Sequence, residues 1–106
     1  MPFYLIQADY STEGAKGVAR EGGTGRRKAI AQMAEGLGGK LEFLYYAFGD
    51  VDAYVIVDLP DSVTAAAVAL AVNQAGAASI KTVVLISPED VDKAGHISVN
   101  YRPAGR

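Results

Sequence analysis

The sequence predicts an α+β fold in the order β-α-β-β-α-β, a split βαβ arrangement: a four-stranded antiparallel sheet with its main helices on one face. Three observations predict it. Segments 3–10, 40–48, 52–59 and 80–86 are short and rich in aromatic and β-branched residues, as strands are. Stretches of helical composition separate the first segment from the second and the third from the fourth. The second and third are parted only by Gly49-Asp50-Val51, which makes them a hairpin.

Taken in order, strand 3–10 is apolar with polar interruptions at Gln7 and Asp9, and Ser11 or Thr12 caps the helix that follows. Helical tendency then runs to Gly39 but breaks at Gly22-Gly23-Thr24-Gly25, where each glycine costs about 1 kcal/mol relative to alanine in a helix interior. A short first helix and a longer one from about Thr24 to Leu37 are expected. In the second, Ile30, Met33, Ala34 and Leu37 make one buried stripe, and Gly38-Gly39 end it. Alternation along strand 40–48 puts Leu41, Phe43, Tyr45 and Ala47 on one face and Lys40, Glu42, Leu44, Tyr46 and Phe48 on the other. Strand 52–59 divides into Ala53, Val55, Val57 and Leu59 against Asp52, Tyr54, Ile56 and Asp58.

Pro60-Asp61-Ser62 opens a helix to about Ala75, closed by Gly76. It has almost no polar face: Val63, Ala66, Ala67 and Leu70 form one stripe, and Val68, Ala69 and Val72 another. Such a helix is expected to be buried on several sides, one of them against another subunit; the alternative is a helix that simply exposes its alanines. After strand 80–86, Ser87-Pro88-Glu89-Asp90 reads as a capped start to a short helix ending near Gly95. Residues 1–95 then form one domain, and 96–106 a C-terminal extension. Its alternating Ile97, Val99 and Tyr101 read as a candidate fifth strand that packs on a neighbouring subunit or adds to its sheet edge.

A sheet covered on one side leaves the other open. With strand order 4-1-3-2, the open face is expected to carry Leu44, Tyr46, Phe48, Tyr54 and Ile56, too apolar a patch for water. A second copy is the simplest cover, so a homo-oligomer is expected, a dimer or larger up to a hexamer. At 106 residues a lone monomer would be only marginally stable, which points the same way.

Composition bounds the chemistry. Ten basic against twelve acidic residues give a net charge of −2, which does not favour a nucleic-acid binder. The chain has no cysteine, so thiolate catalysis, disulfides and Cys-based zinc sites are excluded. Its single histidine, His96, excludes an intramolecular multi-His metal site and is expected to face solvent at a helix end. The longest uncharged stretch, 62–80, is mostly alanine and contains Asn73, Gln74 and Gly76, which does not suit a membrane span. The start of the chain lacks the basic region of a secretory leader, so a cytoplasmic protein with no cofactor is expected. Of the six tyrosines, Tyr46 and Tyr54 are assigned to the open face, Tyr4, Tyr10 and Tyr45 to the core or near it, and Tyr101 to the tail.

The stretch Tyr4-Leu5-Ile6-Gln7-Ala8-Asp9-Tyr10, the segment Glu21-Gly22-Gly23-Thr24-Gly25-Arg26-Arg27, the run Phe48-Gly49-Asp50-Val51-Asp52, then Val57-Asp58-Leu59-Pro60-Asp61 and Lys81-Thr82 together resemble the GYD-domain proteins. The resemblance covers roughly residues 3–92. It implies a ferredoxin-like fold of the dimeric α/β-barrel type and little about activity. Val51 stands where the family's hairpin tyrosine would be, so a role for that phenol does not carry over, while Gly49 and Asp52 match.

Two groups of residues are candidates for chemistry. Thr24, Arg26 and Arg27, with Lys28, lie near a helix start where backbone N–H groups attract anions, so an anion or an acidic partner would relieve the clustered cations. The alternative is a hinge with surface cations, since P-loop spacing is absent. On the open face, Gln7, Tyr46, Tyr54 and Lys81 could line a ligand pocket, with Asp52, Tyr54 or Asp9 as catalytic groups: a carboxylate base beside a phenol donor. The alternative is a plain subunit interface in which the tyrosines bury their rings. Asp50 and Asp52 suit backbone capping better than a hard cation, so no metal site is assigned. Three functions remain open: a small-ligand-binding or assembly module, a cofactor-independent monooxygenase- or isomerase-like enzyme acting on a small aromatic substrate, and a scaffold using Arg26 and Arg27.

Overall fold

The computed structural model describes residues 2–106. Eight elements follow in order: β1 (Phe3–Tyr10), α1 (Thr12–Glu21), α2 (Gly23–Gly36), β2 (Lys40–Tyr46), β3 (Ala53–Asp58), α3 (Ser62–Ala75), β4 (Ala78–Leu85) and α4 (Pro88–Gly95). The strands form one antiparallel sheet in the order β2-β3-β1-β4, as expected.

Local chemistry sets the helix ends. Ser11 caps α1, its hydroxyl oxygen accepting from the Gly14 N–H at 3.1 Å, and both its N–H and its hydroxyl donate to the Ala77 carbonyl. That ties the start of α1 to the α3–β4 connection. Asp61 caps α3, accepting from the Thr64 N–H and hydroxyl at 2.8 Å each. Those two bonds, the backbone one first, hold its carboxyl below the ordinary carboxylate value. Gly76 ends α3 in the left-handed conformation.

One face of the sheet is covered. Tyr4, Ile6 and Ala8 of β1 and Ala53, Val55 and Val57 of β3 are buried against Ala34 of α2 and Ala65 and Val68 of α3, with Leu59 closing the end. Tyr4 and Ser62 hydroxyls lie 3.2 Å apart, joining β1 to α3. In α2, Ala34 is fully buried and Ile30 packs on the core, but Met33 and Leu37 stay partly exposed. In α3 only one side is buried within the chain, and Val63 and Leu70 are exposed at 78% and 71%.

The other face is open, and its register rows are specific. Gln7 of β1 sits between Lys81 and Tyr54, with Tyr45 beyond. Leu5 sits between Val83 and Ile56, with Phe43 beyond, and Phe3 between Leu85 and Asp58, with Lys40 beyond. The rings of Phe43 and Tyr45 pack side by side at 5.2 Å.

This corrects the expected faces of β2. Leu44 and Tyr46 are on the helix-covered side, opposite Val55 and Ala53, while Phe43 and Tyr45 are on the open side. Tyr45 is therefore 65% exposed rather than a core residue. The cause is a β-bulge between Leu41 and Phe43. Glu42 is the extra residue, so alternation reverses beyond it. Phe48 lies past the end of β2 and is fully exposed. Removing Glu42 should leave both faces of β2 intact, because the remaining residues alternate correctly; removing Leu44 should reverse them. Denaturant unfolding checks this: the Glu42 deletion should be the milder of the two by more than about 2 kcal/mol.

Two further corrections concern the C-terminal part. Strand β4 begins at Ala78, two residues before the expected start. Residues 96–106 form no strand within the chain, because neither sheet edge pairs with them.

Candidate ligand site between the helices and the sheet

The alternation that buries Tyr4, Ile6 and Ala8 brings Tyr10 to the same face at the end of β1. Cover is incomplete there. Gly22 has φ +89°, a conformation that side-chain-bearing residues rarely adopt, and it divides the helical stretch in two. Its N–H closes α1 onto the Val18 carbonyl, and its own carbonyl accepts from the Arg26 N–H as α2 begins. Gly23 then lies flat on Tyr46: a Cβ added there would be 3.1 Å from the ring.

Three cavities meet at Tyr10. One of about 510 Å³ lies between α1 and the end of β2, with Gly22, Gly23, Tyr46, Phe48 and Asp52 in its wall. An inner one of about 100 Å³ lies under α2 and α3, apolar except for Tyr10 and Arg26. A third, of about 360 Å³, lies between α1 and α3 and includes Glu21 and Arg26. Each of the two larger ones falls in the volume range of small-molecule sites, and the walls of all three are mostly apolar.

The polar groups are of both kinds: the Tyr10 and Tyr46 phenols and Arg26 donate, and the Asp52, Glu21 and Glu13 carboxylates accept. The Tyr46 hydroxyl is buried beside the Tyr10 phenol, yet no hydrogen bond of good geometry reaches it. Burial pushes the Tyr10 phenol above its ordinary value, and the neighbouring Tyr46 phenol and Asp52 carboxylate add to this against the opposing Arg26. Tyr10 is thus protonated and a donor at neutral pH. Arg26 Nη1 lies 3.5 Å from Glu21 Oε1, a partly exposed pair that contributes little to stability. Asp52 is held by three bonds: its Oδ2 accepts from the Tyr10 N–H at 2.9 Å, its N–H donates to the Ala8 carbonyl, and its carbonyl accepts from the Ala47 N–H.

The sequence-predicted groups are therefore regrouped. Gln7, Tyr54 and Lys81 do share the open face, in one row, and Asp9 is one row along, opposite Ser79. Tyr46 leaves that set for the helix side, where Asp52 also lines the cavity, so Asp52 and Tyr54 do not form a base–donor pair. Thr24 and Arg27 line a separate groove of about 500 Å³ against β2, with Lys28 and Glu42, and Arg26 is not part of it. The residue that sequence reasoning missed is Tyr10, assigned to the core. Its signal was its place as the last member of the 4-6-8-10 alternation, just before the Ser11 cap. Among the described residues, no three His, Cys, Asp or Glu side chains cluster as metal ligands, and no helix is long and apolar enough to cross a membrane.

The sheet order and helix placement define a ferredoxin-like α+β protein. Within that class the chain belongs to the GYD domain family, whose model matches residues 4–94. Searches of curated proteins and of solved structures return no significant match.

Proposed function

We propose that the protein is a homo-oligomeric small-ligand-binding protein whose site is the set of adjoining cavities that meet at Tyr10, with Tyr46 in the wall of one and Arg26 in the walls of the other two. The carrying observation is the buried, unpartnered Tyr46 hydroxyl. A buried hydroxyl without a partner costs about 1–3 kcal/mol, and an acceptor on a ligand removes that cost. The two phenols beside apolar walls, with Arg26 on the other side of Tyr10, fit a small planar molecule with a carbonyl or carboxylate oxygen. The oligomer reading rests on the open face, where Leu5, Ile56, Val83 and Phe43 form an apolar row. In the next row Asp58 Oδ1 is buried without a partner, and a covering second copy would supply its donor.

Titration calorimetry with benzoate and acetophenone, with toluene as the probe lacking an oxygen, tests the ligand reading. Tyr46→Phe should weaken the two oxygen-bearing probes by about threefold to tenfold, the worth of one hydrogen bond. The same variant should leave the free protein equally or more stable, since it removes an unsatisfied group. Binding unchanged by Tyr46→Phe, or absent for all three probes, overturns the assignment.

A second reading is favoured by Asp52 in the same wall: its carboxylate would take a proton from the carbon next to a substrate carbonyl, and the phenols would hold the resulting enolate oxygen. Asp52→Asn keeps the acceptor for the Tyr10 N–H. It should abolish exchange of acetophenone methyl protons with deuterated water, followed by NMR, without changing binding. No exchange in the unaltered protein leaves the binding function alone.

A further inference from the structure

The C-terminal part of the chain, from Ile86 to Arg106, is exposed at every residue. None of the α4 residues is buried, although an isolated eight-residue helix is marginal in water without a partner surface. The radius of gyration is 16.8 Å against about 13 Å for a compact chain of this length, so this arm projects from the body. The arm carries Ile97, Val99 and Tyr101 at alternate positions, 68–75% exposed, which is the pattern of a strand with one apolar face.

The body has a matching vacancy. Strand β4 pairs only with β1; on its outer edge the Ile80 N–H is taken by Asn73 Oδ1 at 2.8 Å, and no strand pairs with the rest of that edge. Beside that edge, α3 and β4 leave an apolar hollow of about 190 Å³ between Ala66, Ala69, Thr82 and Val84. Val84 is 63% exposed although it lies on the helix side. The other free edge, β2, borders the groove with Arg27 and Lys28. Charge separates the two. All twelve acidic side chains lie before His96, while the tail has Arg102 and Arg106 and no carboxylate side chain. Arg102 and Arg106 of the tail are repelled by Arg27 and Lys28 at the β2 groove, whereas the hollow beside β4 has no charged residue in its wall.

We propose that residues 97–101 of one copy add as an edge strand to β4 of a second copy, with alternate apolar side chains seated over the α3–β4 hollow, and that the exchange is reciprocal. This deepens the homo-oligomer reading by naming the segment and the edge; a dimer joined only through its open sheet faces would lack it.

The cysteine-free sequence permits a clean test. Full-length protein with only Val99→Cys is mixed with full-length protein with only Val84→Cys and oxidised mildly, and disulfides are identified by mass. Bridging requires Cα atoms within about 4.4–6.8 Å. A mixed 84–99 disulfide is expected, forming at least tenfold faster than one between Val99→Cys and Glu42→Cys on the β2 edge. Adding Ile97→Asp and Tyr101→Asp to the Val99→Cys copy should suppress it. Equal or faster linkage at position 42, no mixed linkage, or closure within single chains of a Val84→Cys/Val99→Cys variant overturns the proposal. The readout needs no ligand, so failure of the Tyr46 assignment does not touch it.

Discussion

Gly39→Ala is expected to destabilise the protein by about 3 kcal/mol, because the new methyl would meet main chain rather than a side chain that can turn away. A Cβ at Gly39 would overlap the Asp58 carbonyl oxygen and come within 3.1 Å of Leu59 Cδ2. Gly39 leads into β2, whose first residue, Lys40, pairs with Asp58, so the strand cannot retreat without losing its register. At roughly 4 °C per kcal/mol for a domain of this size, the melting temperature should fall by about 10 °C or more. Gly17→Ala is the internal control. No atom lies within 4 Å of its added Cβ, and it sits inside α1, so alanine there should stabilise by up to about 1 kcal/mol. Shifts of the same sign in the two variants would show that close approach is not what holds position 39.

Leu59→Ala should cost about 2–5 kcal/mol in denaturant unfolding, the range for truncating a fully buried leucine. Leu59 is 1% exposed and belongs to the core cluster with Tyr4, Val57 and Ala34. Its backbone N–H also donates to the Pro2 carbonyl. Leu70→Ala offers the comparison. Leu70 is 71% exposed on the uncovered side of α3, so within one chain its loss should be nearly neutral. A cost for Leu70→Ala that grows with protein concentration would place that side of α3 in a subunit contact, whereas a Leu59→Ala cost below about 1 kcal/mol would contradict the packing described.

Much of the fold was legible because it rests on short-range chemistry. The Ser11 and Ser87 caps, the Pro60-Asp61-Ser62 start of α3, the Pro88 start of α4, the break among the glycines at 22–25 and the closure of α3 by Gly76 involve residues within a turn of one another. In β1 and β3 unbroken alternation identified the buried faces. In β2 it failed at a single residue, since the Glu42 bulge depends on how β2 meets β3 and leaves no mark in composition. The candidate site was half legible for the same reason. Tyr46, Asp52 and Arg26 stand out in the sequence as chemically able, but the bulge moves Tyr46 across the sheet, and Tyr10 reads as one more core aromatic.

The sequence by itself determined the element order, the helix ends, the family and the absence of thiol chemistry, because each depends on residue type or on neighbours close along the chain. Tertiary structure alone decided which residues face one another. Register across β2, separation of Arg26 from Arg27 and convergence of Tyr10 on Tyr46 all arise from contacts between segments distant in sequence, and a shift of one residue reverses a face without changing the composition of the strand.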